Sequence, residues 1–139
     1  MISDWLTMTA AHDNIEQRDA LRVLVVEDVV VNQRLASGLL QKQGHSVTVT
    51  SNGKEAVEAI EDAEFDLVLM DVEMPVMDGL SATRAIRRRE CKLGGHVPVV
   101  ALTANADRAE CIAAGMDAYI PKPLRADVLR ATMHQVMGI

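Results

Sequence analysis

The sequence predicts an α/β fold, one parallel sheet with helices on both faces, and two observations carry that prediction. Short Val-rich apolar runs alternate five times with segments striped at the helical period, and the central runs are nearly continuous rather than alternating. Strands apolar on both faces belong to parallel sheets covered by right-handed crossover helices. A chain of 139 residues suits one such domain with one core.

The elements follow in order. Residues 1–20 show no clean periodicity and mix polar residues with Trp5, Leu6 and Met8, so they read as a linker or an extra helix before a domain spanning 21–139. LRVLVV (21–26) is the first strand, ended by Glu27 and Asp28. Val31, Leu35 and Leu39, with Leu40 beside them, stripe a helix over 31–43, and Gly44 stops it. SVTVT (46–50) is a short strand, and Ala56, Val57 and Ile60 share one face of a helix from Gly53 to Ala63. FDLVLM (65–70) is the third strand, followed at once by Asp71 and a loop holding Pro75 and Gly79. Leu80, Thr83 and Ile86 point inward from a helix that ends near Gly94. VPVVAL (97–102), a helix over 106–114 closed by Gly115, and AYI (118–120) come next. Leu124, Val128, Leu129, Thr132, Met133 and Val136 stripe the last helix.

Composition excludes several functions. With 14 basic and 20 acidic residues the net charge is -6, a poor basis for binding nucleic acid through its phosphates. The run Arg87, Arg88, Arg89 reads as a cationic helix end favoured by the macrodipole. Cys91 and Cys111 fit no metal-ligand spacing and suggest no disulfide. No apolar run is long enough to span a bilayer, and the N-terminus lacks a signal pattern. The expected setting is cytoplasmic, including the cytosolic part of a membrane-bound protein, with no membrane contact by this domain. Neither G-x-G-x-x-G nor G-x-x-x-x-G-K-[ST] is present, which excludes the usual dinucleotide and P-loop sites.

In open parallel sheets ligands sit beyond the carboxyl ends of the strands. Strand one delivers Glu27 and Asp28 there, strand three Asp71, strand four Thr103, and strand five Lys122 followed by Pro123. Taken singly, a cap, a turn hydroxyl or a solvated lysine accounts for each; at four strand ends together such readings are implausible. Close carboxylates repel unless a cation joins them. Mg²⁺, a hard ion held by carboxylates, waters and phosphate oxygens, is the simplest relief. An ammonium and a hydroxyl can hold the remaining phosphate oxygens, and a carboxylate can accept the phosphoryl group.

VLVVEDVVVNQ (23–33), LVLMDVEMPVMDGL (67–80), VVALTANA (99–106) and GMDAYIPKPL (115–124) together resemble the receiver domain of two-component response regulators, over about residues 21–138. The resemblance implies a flavodoxin-like doubly wound sheet of five parallel strands in the order 2-1-3-4-5, with five helices. It implies that Asp71 takes a phosphoryl group from a phosphohistidine on a histidine kinase or histidine phosphotransfer protein. It makes Asp28 a direct and Glu27 a water-mediated Mg²⁺ ligand, with the backbone carbonyl of Glu73 as a further contact. Thr103 and Lys122 become the switch hydroxyl and the phosphate-pairing lysine, and Tyr119 the aromatic ring that turns inward on phosphorylation. Glu73 and Asn105 become the positions that tune phosphoryl lifetime, and Lys122–Pro123 a cis-peptide candidate. The surface that changes is then the fourth helix, fifth strand and fifth helix.

Such a domain is not a dedicated enzyme, although it catalyses its own phosphorylation and dephosphorylation. The wording VVEDVVVNQ, DVEMPVMDGL and ALTANA looks most like receivers of hybrid sensor kinases, and residues 1–20 would suit the preceding linker. On this reading no DNA-binding output domain is expected after the last helix. A free-standing regulator is the alternative. An aspartate-nucleophile phosphohydrolase is a remoter one, because it places a second Asp where Glu73 stands here.

Overall fold

The computed structural model describes residues 20–74, 76–104 and 108–138. The N-terminal linker reading (bar Ala20) and Asn105 therefore lie outside the described residues. Five strands, β1 (Arg22–Val26), β2 (Ser46–Thr50), β3 (Leu67–Asp71), β4 (Val99–Thr103) and β5 (Ala118–Pro121), alternate with α1 (Val30–Lys42), α2 (Gly53–Asp62), α3 (Gly79–Leu93), α4 (Arg108–Ala114) and α5 (Ala126–Met137).

All pairings are parallel and the order is β2-β1-β3-β4-β5. The direction of winding reverses between β1 and β3, and this is where a crevice opens at the strand ends. Alternation along each strand divides the core in two. Val23, Val25, Leu67, Leu69, Val100 and Leu102 meet Ala36 and Leu40 of α1 and Leu129 and Met133 of α5 on one face. Leu24, Val26, Val68, Met70, Val99 and Ala101 meet Ala56, Ala82, Ile86 and Cys111 of the other helices on the second. β3 and β4 are buried at every position, as their unbroken apolar runs require.

Local signals set the helix ends. Asn52 caps α2 by accepting from the Glu55 N–H at 2.9 Å, while its amide reaches back to Glu55 at 3.0 Å. Asp78 caps α3 through the Ser81 N–H at 2.7 Å. Gly44, with φ of 93°, ends α1 where a side chain would be strained. Cys91 and Cys111 are not joined by a disulfide.

Three expectations need correction. First, β3 starts at Leu67 and not at 65, because Asp66 is taken up in turning the chain: its carboxylate accepts from the Arg22 N–H at 2.8 Å. β4 likewise runs from Val99 to Thr103, so Asp71 and Thr103 are the last residues of their strands rather than the first beyond them. Secondly, only half of the stripe made by Val31, Leu35, Leu39 and Leu40 faces the sheet: Leu40 is buried and Leu39 packs against the same core, whereas Val31 and Leu35 turn away from it. Ala36 is buried with Leu40, and Val31 is 73% and Leu35 43% exposed. Amides explain the rotation: Gln33 donates to the Glu27 carbonyl at 2.6 Å and Asn32 to its carboxylate at 3.5 Å, which turns the first helical turn toward polar partners. Thirdly, Arg87 does not serve as a cationic helix end, lying inside a helix that runs on to Leu93. It turns inward onto Glu90, Asp117 and two backbone carbonyls.

Candidate phosphoryl-transfer site

Four strand ends build the rim. β1 ends on Val26, so the chain presents Glu27 and Asp28 as it turns toward α1. Glu27 is held from several sides: its N–H donates to the Thr50 carbonyl at 3.1 Å, and its carboxylate accepts from the Val29 N–H at 3.2 Å. β3 delivers Asp71 beside Leu102 of β4, almost wholly buried. The N-terminus of α3 presses against it. A Cβ on Gly79 would collide with the Asp71 carbonyl, so only glycine lets the helix start this close.

Glu27, Asp28 and Asp71 each bring a carboxylate oxygen within 4.8 Å of the others, Asp28 being the most exposed. Lys122, arriving after β5, places its Nζ 3.1 Å from Asp71 Oδ1 and 3.4 Å from Glu27 Oε2. The Glu73 N–H also donates to Asp71 Oδ1, at 3.1 Å. The Lys122–Pro123 peptide is cis. Thr103 is fully buried and its hydroxyl donates to Glu73 Oε1 at 3.4 Å. Tyr119 is half-buried on β5, and Glu73 is exposed although its carboxylate reaches the Thr103 hydroxyl.

Among the described residues, one cation stands with three carboxylates, which leaves the site unbalanced. Burial first, and then the charge of Asp71, hold the Glu27 carboxyl above its ordinary range, against the Val29 hydrogen bond and the Lys122 charge. Burial alone would lower Lys122. The hydrogen bond and charge of Asp71, joined by Glu27, outweigh it and raise the ammonium above its ordinary value. Glu27 Oε2 is buried and receives no hydrogen bond. A buried carboxylate oxygen whose near partner is the Lys122 ammonium at 3.4 Å, facing two further carboxylates, belongs to a donor set of the kind a hard divalent cation completes.

Sequence reasoning missed Asn32, Gln33 and Gly79. The first two are amides five and six residues past Glu27, a spacing that returns the first turn of a helix over the residue preceding it. Among the described residues, no helix is long and apolar enough to cross a membrane.

The geometry can be set beside known proteins. The family model for the response regulator receiver domain matches residues 23–134. A hybrid signal transduction histidine kinase of Dictyostelium discoideum is 39% identical over 116 residues, covering 78% of this chain and 7% of its own length. The chain thus spans a small part of that relative. The receiver domain of a sensor histidine kinase from Pseudomonas aeruginosa, solved with magnesium in its active-site cleft, is 40% identical with a TM-score of 0.78, covering 86% of this chain and 99% of that one. A receiver domain from Saccharomyces cerevisiae, solved with the histidine phosphotransfer protein upstream of it, is 30% identical with a TM-score of 0.79, covering 84% and 88%.

Proposed function

The chain belongs to the response regulator receiver domain family, and from that membership we propose that it accepts a phosphoryl group on Asp71 from a phosphohistidine of a partner protein. The observation that carries the reading is the contact of a buried Asp71 carboxylate with Lys122 at 3.1 Å, inside a triad of carboxylates. An Asp71 oxygen forms the new P–O bond as the P–N bond breaks, and the electron pair departs with the imidazole. Lys122 neutralises charge on the transferring group, and Thr103 supplies a hydroxyl to one of its oxygens.

Asp28 and Asp71 directly, Glu27 mainly through water, and the Glu73 carbonyl are the groups that would hold Mg²⁺. Bound there, the ion supplies Lewis-acid charge stabilisation to phosphate oxygens. Glu73 and Asn105 would then adjust phosphoryl lifetime, and Tyr119 would follow Thr103 inward, altering the face made by α4, β5 and α5. Autophosphorylation from small phosphodonors belongs to this reading.

The partner we assign is a histidine kinase or a histidine phosphotransfer protein. Val29, Val30, Val31 and Leu35 are all exposed beside Glu27 and Asp28. A cavity of about 360 Å³ runs from Leu35 and Ala36 past Leu102 and Leu124 to Glu27 and Lys122. An apolar shoulder leading into a charged cleft suits a protein that brings a phosphohistidine rather than a free phosphate. The hybrid kinases among the relatives support a receiver cut from such a cytoplasmic chain, with residues 1–20 as its linker. The test is mass spectrometry after acetyl phosphate and Mg²⁺. The wild-type chain should gain one phosphoryl group and Asp71→Asn none, with unchanged circular dichroism. Undiminished labelling of the variant overturns the assignment.

A further inference from the structure

The Arg108 guanidinium, on the first residue of α4, lies 5.5 Å from the centroid of the Tyr119 ring. Tyr119 sits beside Ala101 in the β4–β5 ladder, and both belong to the second core face. Thr103 is two residues further along β4, so alternation puts it on that same face. The ring therefore has a path over the small Ala101 side chain toward Thr103, and its present place is half-exposed, under Arg108. A cavity of about 150 Å³ on this outer side is lined by Arg108, Cys111, Ile112, Met116, Tyr119 and Thr132.

We propose that Arg108 is a positioning residue for the switch, stacking on Tyr119 in the unphosphorylated state and holding the ring on the outer face. The inference rests on reading Tyr119 as the switch aromatic. An inward ring leaves the guanidinium behind, so the stacking favours one state only. A cation–π contact at an exposed site is worth roughly a two- to fivefold bias. A contact made in one state shifts a two-state equilibrium by its full factor, and linkage weakens phosphoryl-mimic binding by up to the same factor. Arg108 thus raises the threshold for activation.

The chain contains a single tyrosine, so ring-labelled tyrosine gives one reporter of the switch. Beryllofluoride with Mg²⁺ serves as the phosphoryl mimic. The wild-type ring signal should move when the mimic binds. In Arg108→Ala it should already lie partway toward that position without the mimic, and the mimic should bind roughly two- to fivefold more tightly. Arg108→Lys, which keeps a cation, should fall back toward wild type. Mere loss of positive charge near an anion site acts in the opposite direction, weakening binding. A wild-type ring that does not respond overturns the switch reading and the latch with it. A responsive wild-type ring, with Arg108→Ala unchanged in signal and affinity, overturns the latch alone.

Discussion

The two ends of the sheet treat charge in opposite ways. At the amino ends of β4 and β5, the Arg87 guanidinium meets Glu90 at 2.7 Å, Asp117 at 2.8 Å, and the carbonyls of Gly115 and Val97. Glu90 also accepts from the Val97 N–H, and Asp117 from the Val99 N–H and the His96 ring. Each carboxylate is shared between a cation and a backbone donor. At the carboxyl ends, three carboxylates crowd one ammonium and a buried oxygen of Glu27 goes without a hydrogen bond. The first arrangement ties α3, β4 and β5 together. The second is unfavourable in isolation, which is what a site completed by ligands must be.

Breaking the satisfied end should have the largest effect on the fold. Arg87→Ala leaves the half-buried Glu90 and the more exposed Asp117 without their shared cation and should cost about 3 kcal/mol of stability, read as a lowered urea midpoint. A loss below about 1 kcal/mol would erase the contrast between the ends. Asp28→Ala tests the other side. It should weaken Mg²⁺ binding at least about tenfold by calorimetry while moving stability by no more than about 0.5 kcal/mol.

The unbalanced end also makes a prediction of opposite sign. Because burial and Asp71 raise the Glu27 pKa, the carboxylate is its disfavoured form, and metal-free stability is lost as pH rises through that titration. Glu27→Gln should therefore raise the urea midpoint of metal-free protein at neutral pH, by about 1 kcal/mol, and weaken Mg²⁺ binding. The gain should vanish in acid, below the ordinary glutamate range. A variant less stable than wild type at neutral pH would mean that the Lys122 pair outweighs the burial cost.

This contrast was only half legible in the sequence. The rim could be read because each member ends or closely follows a strand, so the alternation of elements alone brings Asp71 and Lys122 to one edge. Arg87 could not, because three consecutive arginines look alike and its partner Asp117 lies 30 residues away. Val31 and Leu35 were misassigned for a related reason. Periodicity identifies a helix with an apolar stripe, but the stripe that faces the sheet depends on which side chains fit there, and Ala36 with Leu40 does. The strand limits shifted at β3 and β4 because Asp66 and Pro98 read as strand continuations. Their hydrogen bonds, to Arg22 and Val68, belong to the turns.

The smallest predicted effect concerns the loop between β3 and α3, beside the acceptor. Val76 has a φ of 69° and is 82% exposed, so a β-branched residue adopts a left-handed conformation with no burial to offset it. Loop geometry explains the conformation. The chain must turn from Val72, whose carbonyl accepts the Gly79 N–H at 3.0 Å, to Met77, whose carbonyl accepts the Gly53 N–H at 3.1 Å. Both bonds hold the loop from outside Val76, so the strain is imposed on it rather than chosen by its side chain. Val76→Gly relieves roughly 1–2 kcal/mol of left-handed strain but returns part of it as unfolded-chain entropy, leaving a net gain of about 0.5 kcal/mol. Val76→Ala, which keeps a Cβ, should gain less. Equilibrium unfolding of the two variants separates these outcomes. If alanine matches glycine, the strain lies in β-branching and not in φ, and the loop would then resemble the satisfied end of the sheet more than the rim it borders.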